Sequence, residues 1–347
     1  MATVLVTGAG GYLASWIVNC LLQDGHVVHG TVRKIQDTQK VAHLLQLADG
    51  YPDRLKLFDA DLLIAGSFDV AMEGCSIVIH AASPYFIGTP KDPMAELVNP
   101  AVKGTRNVLD AVNRTGCVQR VVLTSSIAAM YGNVVDLKDA DATMLQEGDI
   151  NHSSSIASNP YAYSKTLAEK AAWEIHGQQS RWSLVTINPG AIFGPSLSKR
   201  KDATSVTMII QFLNGSFRSG VPNLRLGVVD VRDAAIAHVK AATLASASGR
   251  YIAVAESLTL LEIARKIAGS NPAFISKLPA KEVPKALIWL IAPLIGMTRE
   301  YVAKNVSYPI NFNNRRSREE LSVIYRPSLT TLNDHVKQLV DDGLLED

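Results

Sequence analysis

The sequence predicts an α/β fold: a doubly wound parallel sheet with helices on both faces, followed by a smaller, mainly helical lobe. Three observations predict it. Short apolar runs alternate with helical patterns through the first half of the chain. The runs are apolar along their whole length, as strands covered on both faces must be. The first run leads directly into a Gly-rich turn and then a helical pattern.

Taken in order, Thr3–Thr7, Val27–Val32, Leu55–Phe58, Ile77–Ala81, Arg120–Thr124 and Leu184–Asn188 read as buried strands. Tyr12–Gln23, Gln39–Leu47, Met94–Arg114 and Tyr163–His176 read as the helices between them. Parallel neighbours need such crossovers, and these are right-handed almost without exception. The Ser-rich segment His152–Asn159 reads as a mobile loop or a plain surface loop. After Asn188 the rhythm loosens. Residues 195–225 carry scattered Ser, Lys, Gly and Pro, and Val228–Ala242 reads as a strand end leading into a helix. From Leu258 onward the pattern is mainly helical, broken at Pro272, Pro279, Pro284 and Pro293. The expected division is a dinucleotide-binding domain over 1–190, with 226–254 returning to it. A substrate-binding lobe would take 191–225 and 255–347. The apolar stretch Ala286–Met297 is too short to span a bilayer, contains Pro293 and Gly296, and reads as a buried helix or part of a pocket wall.

Composition narrows the function classes. The 347 residues are 47% apolar and 19% charged, with a net charge of +2, too near neutral to imply a nucleic acid or an acidic membrane as partner. Cys20, Cys75 and Cys117 are widely spaced and form no Cys-x-x-Cys pair, and no His or Cys cluster has metal-ligand spacing. They read as reduced, mostly buried thiols, no signal-type segment opens the chain, and a cytoplasmic protein without a metal is expected.

The first turn reads Val4-Leu5-Val6-Thr7-Gly8-Ala9-Gly10-Gly11-Tyr12-Leu13-Ala14. Glycines there let the backbone approach a pyrophosphate, while the helix N-terminus supplies N–H donors and a favourable dipole. This is the arrangement of a Rossmann dinucleotide site, with Thr7, Gly8, Gly11, Tyr12 and Leu13 as candidate contacts. The spacing Gly8-x-x-Gly11-x-x-Ala14 differs from the usual G-x-G-x-x-G, and Ala14 is small enough to keep the helix against the strand. The second strand ends in Arg33-Lys34, where an NAD enzyme tends to carry an acidic residue for the ribose hydroxyls. Cations at that point suit a 2′-phosphate, and NADPH is the expected cofactor.

Of the 10 tyrosines only Tyr161 has a lysine, Lys165, four residues on. A helix would place the two on one face, about one turn apart. A phenol with its ordinary pKa near ~10 is a poor acid–base group at neutral pH, and a neighbouring ammonium favours its phenolate. Upstream, the strand Arg120–Thr124 ends on Ser125-Ser126, where a hydroxyl can point into the crevice at the carboxyl ends of parallel strands. Either serine alone would read as a cap or turn residue.

With these motifs in view, the sequence resembles the extended short-chain dehydrogenase/reductases, and among them the dihydroflavonol-reductase-like branch. The resemblance rests on TGAGGYLAS, GTVR, the Asp59–Leu62 and His80–Pro84 segments, NPAVKGTRNVL, RVVLTSS, YAYSKTLAEKAAWE, Asn188–Pro195 and VDVRDAAIAHVKA. It weakens after about residue 255. It implies Ser126, Tyr161 and Lys165 as the catalytic group. It further implies Arg33 and Lys40 at the 2′-phosphate, Asp61 and Leu62 near the adenine, Ala81, Ala82 and Ser83 along the cofactor, and Pro189, Gly190, Ala191 and Ile192 at the nicotinamide end. The implied reaction is hydride transfer from NADPH to a carbonyl substrate, Tyr161 giving the proton. Relatives occur as monomers and homodimers.

The substrate is less constrained. Flavonoid reductases carry an Asn five residues after the catalytic serine, where this chain has Tyr131, and the N-W-Y-C-Y signature of cinnamoyl-CoA reductases is replaced at Ser158–Tyr163. An aldehyde or ketone in an apolar pocket is expected, with Tyr85, Phe86, Met130, Tyr131, Phe193, Met208 and Phe212 each readable as pocket lining or as plain core. Rival readings are a hydroxysteroid dehydrogenase, a sugar-nucleotide epimerase and a non-catalytic NADP-binding redox sensor. Arg33 speaks against the epimerase, and the presence of Ser126, Tyr161 and Lys165 against the sensor.

Overall fold

A computed structural model describes residues 1–83, 91–137 and 144–345. Strands β1 (Thr3–Thr7), β2 (Val27–Val32), β3 (Leu55–Asp59), β4 (Ile77–His80), β5 (Arg120–Thr124) and β6 (Ser183–Pro189) fall within a residue of the predicted runs. Three more were not predicted as strands of their own or were seen only as a strand end: β7 (Ala191–Phe193), β8 (Arg225–Asp230) and β9 (Gly249–Ala253). A tenth, β10 (Glu256–Thr259), closes the series used below.

The large sheet has seven parallel strands in the order β9-β6-β5-β4-β1-β2-β3. Chain order reverses at β1, whose neighbours are β2 on one side and β4 on the other. A doubly wound sheet opens its ligand crevice at that point, outside the strands' carboxyl ends. Successive side chains of a strand serve opposite faces. Val4 and Val6 therefore lie in one core with Ile77 and Ile79, while Leu5 and Val78 lie in the other. The first core is covered by α1 (Tyr12–Gln23), α2 (Thr38–Gly50) and, later in the chain, Val231–Thr243. The second is covered by α3 (Asn99–Thr115) and α4 (Pro160–His176).

Helix α2 runs three residues beyond its predicted end at Leu47, and two helix starts differ by more than a residue from the pattern-based reading. Met94–Val98 is a π-helical turn, and a new α register begins at Asn99. Pro100 has no N–H to give to the preceding turn, so the ladder cannot run through it unchanged. Helix α4 starts at Pro160 rather than Tyr163, because Asn159 caps it by accepting from the Ala162 N–H at 3.1 Å and Pro160 takes the first helical position.

A smaller sheet, ordered β10-β8-β7, stands beyond the large one, with β8 parallel to β7 and antiparallel to β10. It backs onto a separate core that includes Phe193, Ile209, Phe212, Ile263, Leu332 and Val336. Within 226–254, Val231–Thr243 packs against α1 and β9 closes the large sheet, whereas β8 belongs to the small one. The stretch Ala286–Met297 is not a buried helix. Only Ile288 and Ala292, one turn apart, are buried; Leu290 is 60% exposed and Leu294 87%. Trp289 lies at the surface under the Arg299 guanidinium. The cysteines are unpaired, and of the three only Cys75 is fully buried. No helix among the described residues is long and apolar enough to cross a membrane.

Candidate active site

The carboxyl ends of β1 and β4 are tied together by side chains. Thr7 Oγ1 accepts from the Ala82 N–H at 3.0 Å and lies 2.9 Å from His80 Nδ1. With Thr7 donating its one proton to Nδ1, the imidazole is neutral there, and burial pushes its pKa down to about 3, with Lys165 adding to the effect. Gly8 turns the chain at φ +65, and a Cβ on it would lie 3.0 Å from that of Ala82. Gly11 precedes α1 without any side-chain cap, so the first N–H groups of that helix have no side chain over them. A turn closed to any Cβ and opening on uncapped helix donors fits a pyrophosphate. Tyr12 turns its own ring away: its hydroxyl donates to Gly194 O at 2.6 Å, and Leu13 is buried in the first core.

At the end of β2, Arg33 is exposed, with no hydrogen bond or ion pair among the described residues, and Lys34 is exposed beside it. Lys40 is exposed and paired with Asp37 at 2.6 Å. A guanidinium with no partner of its own suits a phosphate; Lys40 would have to share. Asp61 has its carboxylate on the Leu63 N–H at 2.8 Å, and Leu62 packs over Gly104 on α3. Pro189 ends β6, and Gly190 follows where a Cβ would strike Gly227 O, so only glycine fits. Ala191 and Ile192 then enter β7 alongside Val228 and Val229.

The structure separates the two serines. Ser125 Oγ donates to the buried Glu169 carboxylate. Ser126 Oγ accepts from the Ala128 N–H at 3.1 Å as the cap of a short turn, which leaves its proton to give. That turn packs against α4. Tyr161 stands in the first turn of α4, 47% exposed and so within reach of a small molecule. Lys165 follows one turn later, and its Nζ donates to Ser83 Oγ at 3.0 Å across the crevice. Burial pushes the Lys165 ammonium down to about 8, Glu169 acting against that. A crevice beside Lys165 is lined by, among others, Leu62, His80, Ala82, Ser83, Ser125 and Glu169. The Ser-rich loop before α4 is laced by its own hydrogen bonds, among them Ser155 to Ser158 at 3.0 Å, and is tied to the Ser126 turn through Asn151 Nδ2 to Ala128 O at 2.9 Å.

Of the apolar candidates, Phe193 and Phe212 have no exposed surface and pack in the small lobe's core, and Met130 is buried with Ile127, Leu145 and Ile252. These three pack as core. Met208 and Tyr131 are half-buried, Met208 at the edge of the lobe core and Tyr131 against the Met130 cluster. Tyr85 and Phe86 lie outside the described residues.

Glu169, Asn188 and Arg250 escaped the sequence reading. One signal was present: Tyr161, Lys165, Glu169 and Trp173 recur every four residues, a polar stripe on a helix whose neighbouring positions are Ala168, Ala171 and Ala172. Nothing in the sequence places Asn188 or Arg250 beside it.

Comparison with known proteins shows the family and the fold. The family described as NAD dependent epimerase/dehydratase matches residues 4–255. A cinnamoyl-CoA reductase of Medicago truncatula is 42% identical over 80% of this chain and 83% of its own. The structure of the yeast methylglyoxal/isovaleraldehyde reductase complexed with NADPH superimposes with a TM-score of 0.81 at 26% identity, over 98% of this chain and 99% of that one. The Candida albicans Gre2–NADPH complex gives 0.78 at 29% identity, over 99% of both chains.

Proposed function

The chain belongs to the NAD dependent epimerase/dehydratase family and is an NADP(H)-dependent oxidoreductase, and on that premise we propose that it reduces an aldehyde or ketone, with Tyr161 as the proton donor. The observation that carries this reading is the placement of a half-exposed Tyr161 one helical turn before Lys165 on α4, with the turn capped by Ser126, whose hydroxyl proton is uncommitted, packed against that helix.

When bound, NADPH supplies the hydride for the carbonyl carbon. Tyr161 donates its phenolic proton to the carbonyl oxygen as charge grows there. Ser126 donates a hydrogen bond to the same oxygen and fixes its direction. Lys165, a cation one turn from Tyr161, stabilises the phenolate that proton donation leaves, and would hold the ribose. Gly8, Gly11 and the start of α1 would hold the pyrophosphate, and Arg33 with Lys34 and Lys40 the 2′-phosphate. Unpaired cysteines suit work in the reducing cytoplasm.

The test is the loss of NADPH absorbance with methylglyoxal, benzaldehyde, phenylacetaldehyde, an aryl ketone, a β-keto ester, a dihydroflavonol and cinnamoyl-CoA, each repeated with NADH. Turnover of aldehydes or ketones, faster with NADPH, is expected. Turnover of the CoA thioester alone would move the substrate to the class named by the Medicago relative. Tight NADPH binding without reduction of any carbonyl would sink the proposal.

A further inference from the structure

In the wall of the crevice beside Lys165 stands a buried carboxylate that takes no part in the proposed hydride and proton transfers. Glu169 is 1% exposed and receives donors from four places in the fold. Ser125, at the end of β5, and Asn188, on β6, donate to Oε2, Asn188 at 2.9 Å. Arg250, on β9, donates to Oε1 at 2.5 Å, and Trp173, one turn on in α4, at 3.2 Å. A carboxylate taken out of water is costly unless its lone pairs are met and a cation faces it, and both conditions hold here.

The partners on Oε2 are also those that place the reacting turn. Asn188 spends its second amide proton on Ser126 O at 3.0 Å, while its own Oδ1 accepts from Thr186 Oγ1 at 3.0 Å. Ser125 is the residue before Ser126. Every hydrogen-bonding atom of the Asn188 amide is therefore committed, and the carboxylate is the point at which β5, β6, β9 and α4 meet. On α4 itself, Glu169 sits one turn beyond Lys165.

We propose that Glu169, held by Arg250, is a positioning residue for the reduction: it sets the place of Ser126 through Ser125 and Asn188, and it supplies negative charge one turn below Lys165. The inference rests on the reading of Ser126, Tyr161 and Lys165 as the reacting groups. Among the described residues, the titratable and charged groups around Lys165 are Tyr161 and Glu169 on its own helix and His80 at the end of β4, with Arg250 behind Glu169. His80 is held neutral by burial and brings no charge. Burial drives the Lys165 proton off and Glu169 opposes it. Without the carboxylate, Lys165 loses its proton at a lower pH, and reduction fails earlier on the alkaline side.

The experiment compares Glu169→Gln and the double variant Glu169→Gln with Arg250→Met against the unaltered protein. Four quantities are read: kcat against pH, NADPH affinity by calorimetry, thermal stability, and the Lys165 titration in cofactor-free protein by NMR of isotope-labelled lysine. Glu169→Gln is expected to lower kcat on the order of 10- to 100-fold through misplacement of Ser126. The Lys165 titration and the alkaline limb of kcat should move down together by about 1 unit, with NADPH affinity unchanged. The double variant removes a guanidinium that has lost its counter-charge, although it still donates to Asp149 O at 2.8 Å, and should regain thermal stability without regaining kcat or the limb. Recovery of kcat together with stability would overturn the proposal, because a scaffold role alone would then explain the loss. So would a Lys165 titration that does not move. If the single variant does not fold, the double variant carries the same test. Tyr161→Phe, run in parallel, separates the two levels: retained turnover there would defeat the reading of the reaction, while the Lys165 titration would still judge Glu169.

Discussion

At the scale of single residues, adjacent positions have opposite fates. Ser125 and Ser126 are chemically identical and neighbours, yet the Ser125 hydroxyl is spent on Glu169 while that of Ser126 accepts from the Ala128 N–H and keeps its proton. Tyr161→Phe removes one oxygen at a half-exposed position, so the variant should fold as the parent does and lose at least 10²-fold in kcat, by NADPH absorbance. An active variant would mean the proton comes from elsewhere. In the proposed function Arg33, which has no partner of its own among the described residues, would carry the cofactor preference. Arg33→Ala is expected to weaken NADPH about 10- to 100-fold, the value of one or two charge-assisted hydrogen bonds, and to leave NADH nearly unchanged. Equal losses for both cofactors, measured by calorimetry, would remove the 2′-phosphate from the account. Tyr161, Lys165 and Arg33 were legible in the sequence because each carries a side chain whose chemistry is scarce at its spacing. The choice of Ser126 over Ser125 came only through the family resemblance, since nothing local distinguishes them.

At the scale of elements, the turn from β1 into α1 shows how a loop becomes a binding surface. Gly8 holds a positive φ and faces Ala82 at a distance that leaves no room for a methyl group. Gly8→Ala should cost about 1–2 kcal/mol for the left-handed backbone alone. It should weaken NADPH further by pushing the β4 end away, as urea denaturation and calorimetry would record. A variant of parental stability and affinity would show that the turn relaxes freely. Helix α4 teaches a second point. Its start at Asn159-Pro160 follows the rule for a cap residue and a first-turn proline, and that signal stood in the sequence although the apolar spacing alone suggested Tyr163. The three-residue difference brings Tyr161 inside the helix, where its spacing from Lys165 has meaning. The segment Ala286–Met297 shows the converse: a run this apolar reads as buried, yet only Ile288 and Ala292 find a core to enter.

At the scale of the whole molecule, three histidines are enclosed where packing forbids a charge. His80 ties β1 to β4, His238 lies under β5 with its Nε2 2.8 Å from Thr124 Oγ1, and His335 on Ser328–Asp341 accepts from the Gly194 N–H at 3.1 Å. Burial pushes their pKa values from 6.5 to about 3, about 4 and about 3. Below 6.5 the unfolded chain binds protons that the folded chain refuses. Stability is therefore complete above 6.5 and falls as pH drops from there toward 4. Each imidazole costs up to about 1.4 kcal/mol per pH unit below 6.5 and about half that at 6.5 itself, so the three together should remove about 4 kcal/mol between pH 7.5 and 5.5. Urea denaturation at pH 7.5 and 5.5 measures this; a flat profile would mean that the imidazoles are charged in the folded state.

The sequence by itself determined the parallel sheet, the Gly-rich turn into α1, the cation at the end of β2, and the Tyr161–Lys165 pair. These are local: a strand must be apolar on both faces, a tight turn must lack a Cβ, and two side chains four apart share a helix face whatever surrounds them. Only the tertiary structure decided that β9 closes the sheet and that Phe193 and Phe212 pack inside the small lobe. It also decided that Glu169 receives Ser125, Asn188 and Arg250 together. Those contacts join residues up to 81 positions apart. Burial and pairing at such separations arise from how whole elements stack, and no spacing within one element encodes them.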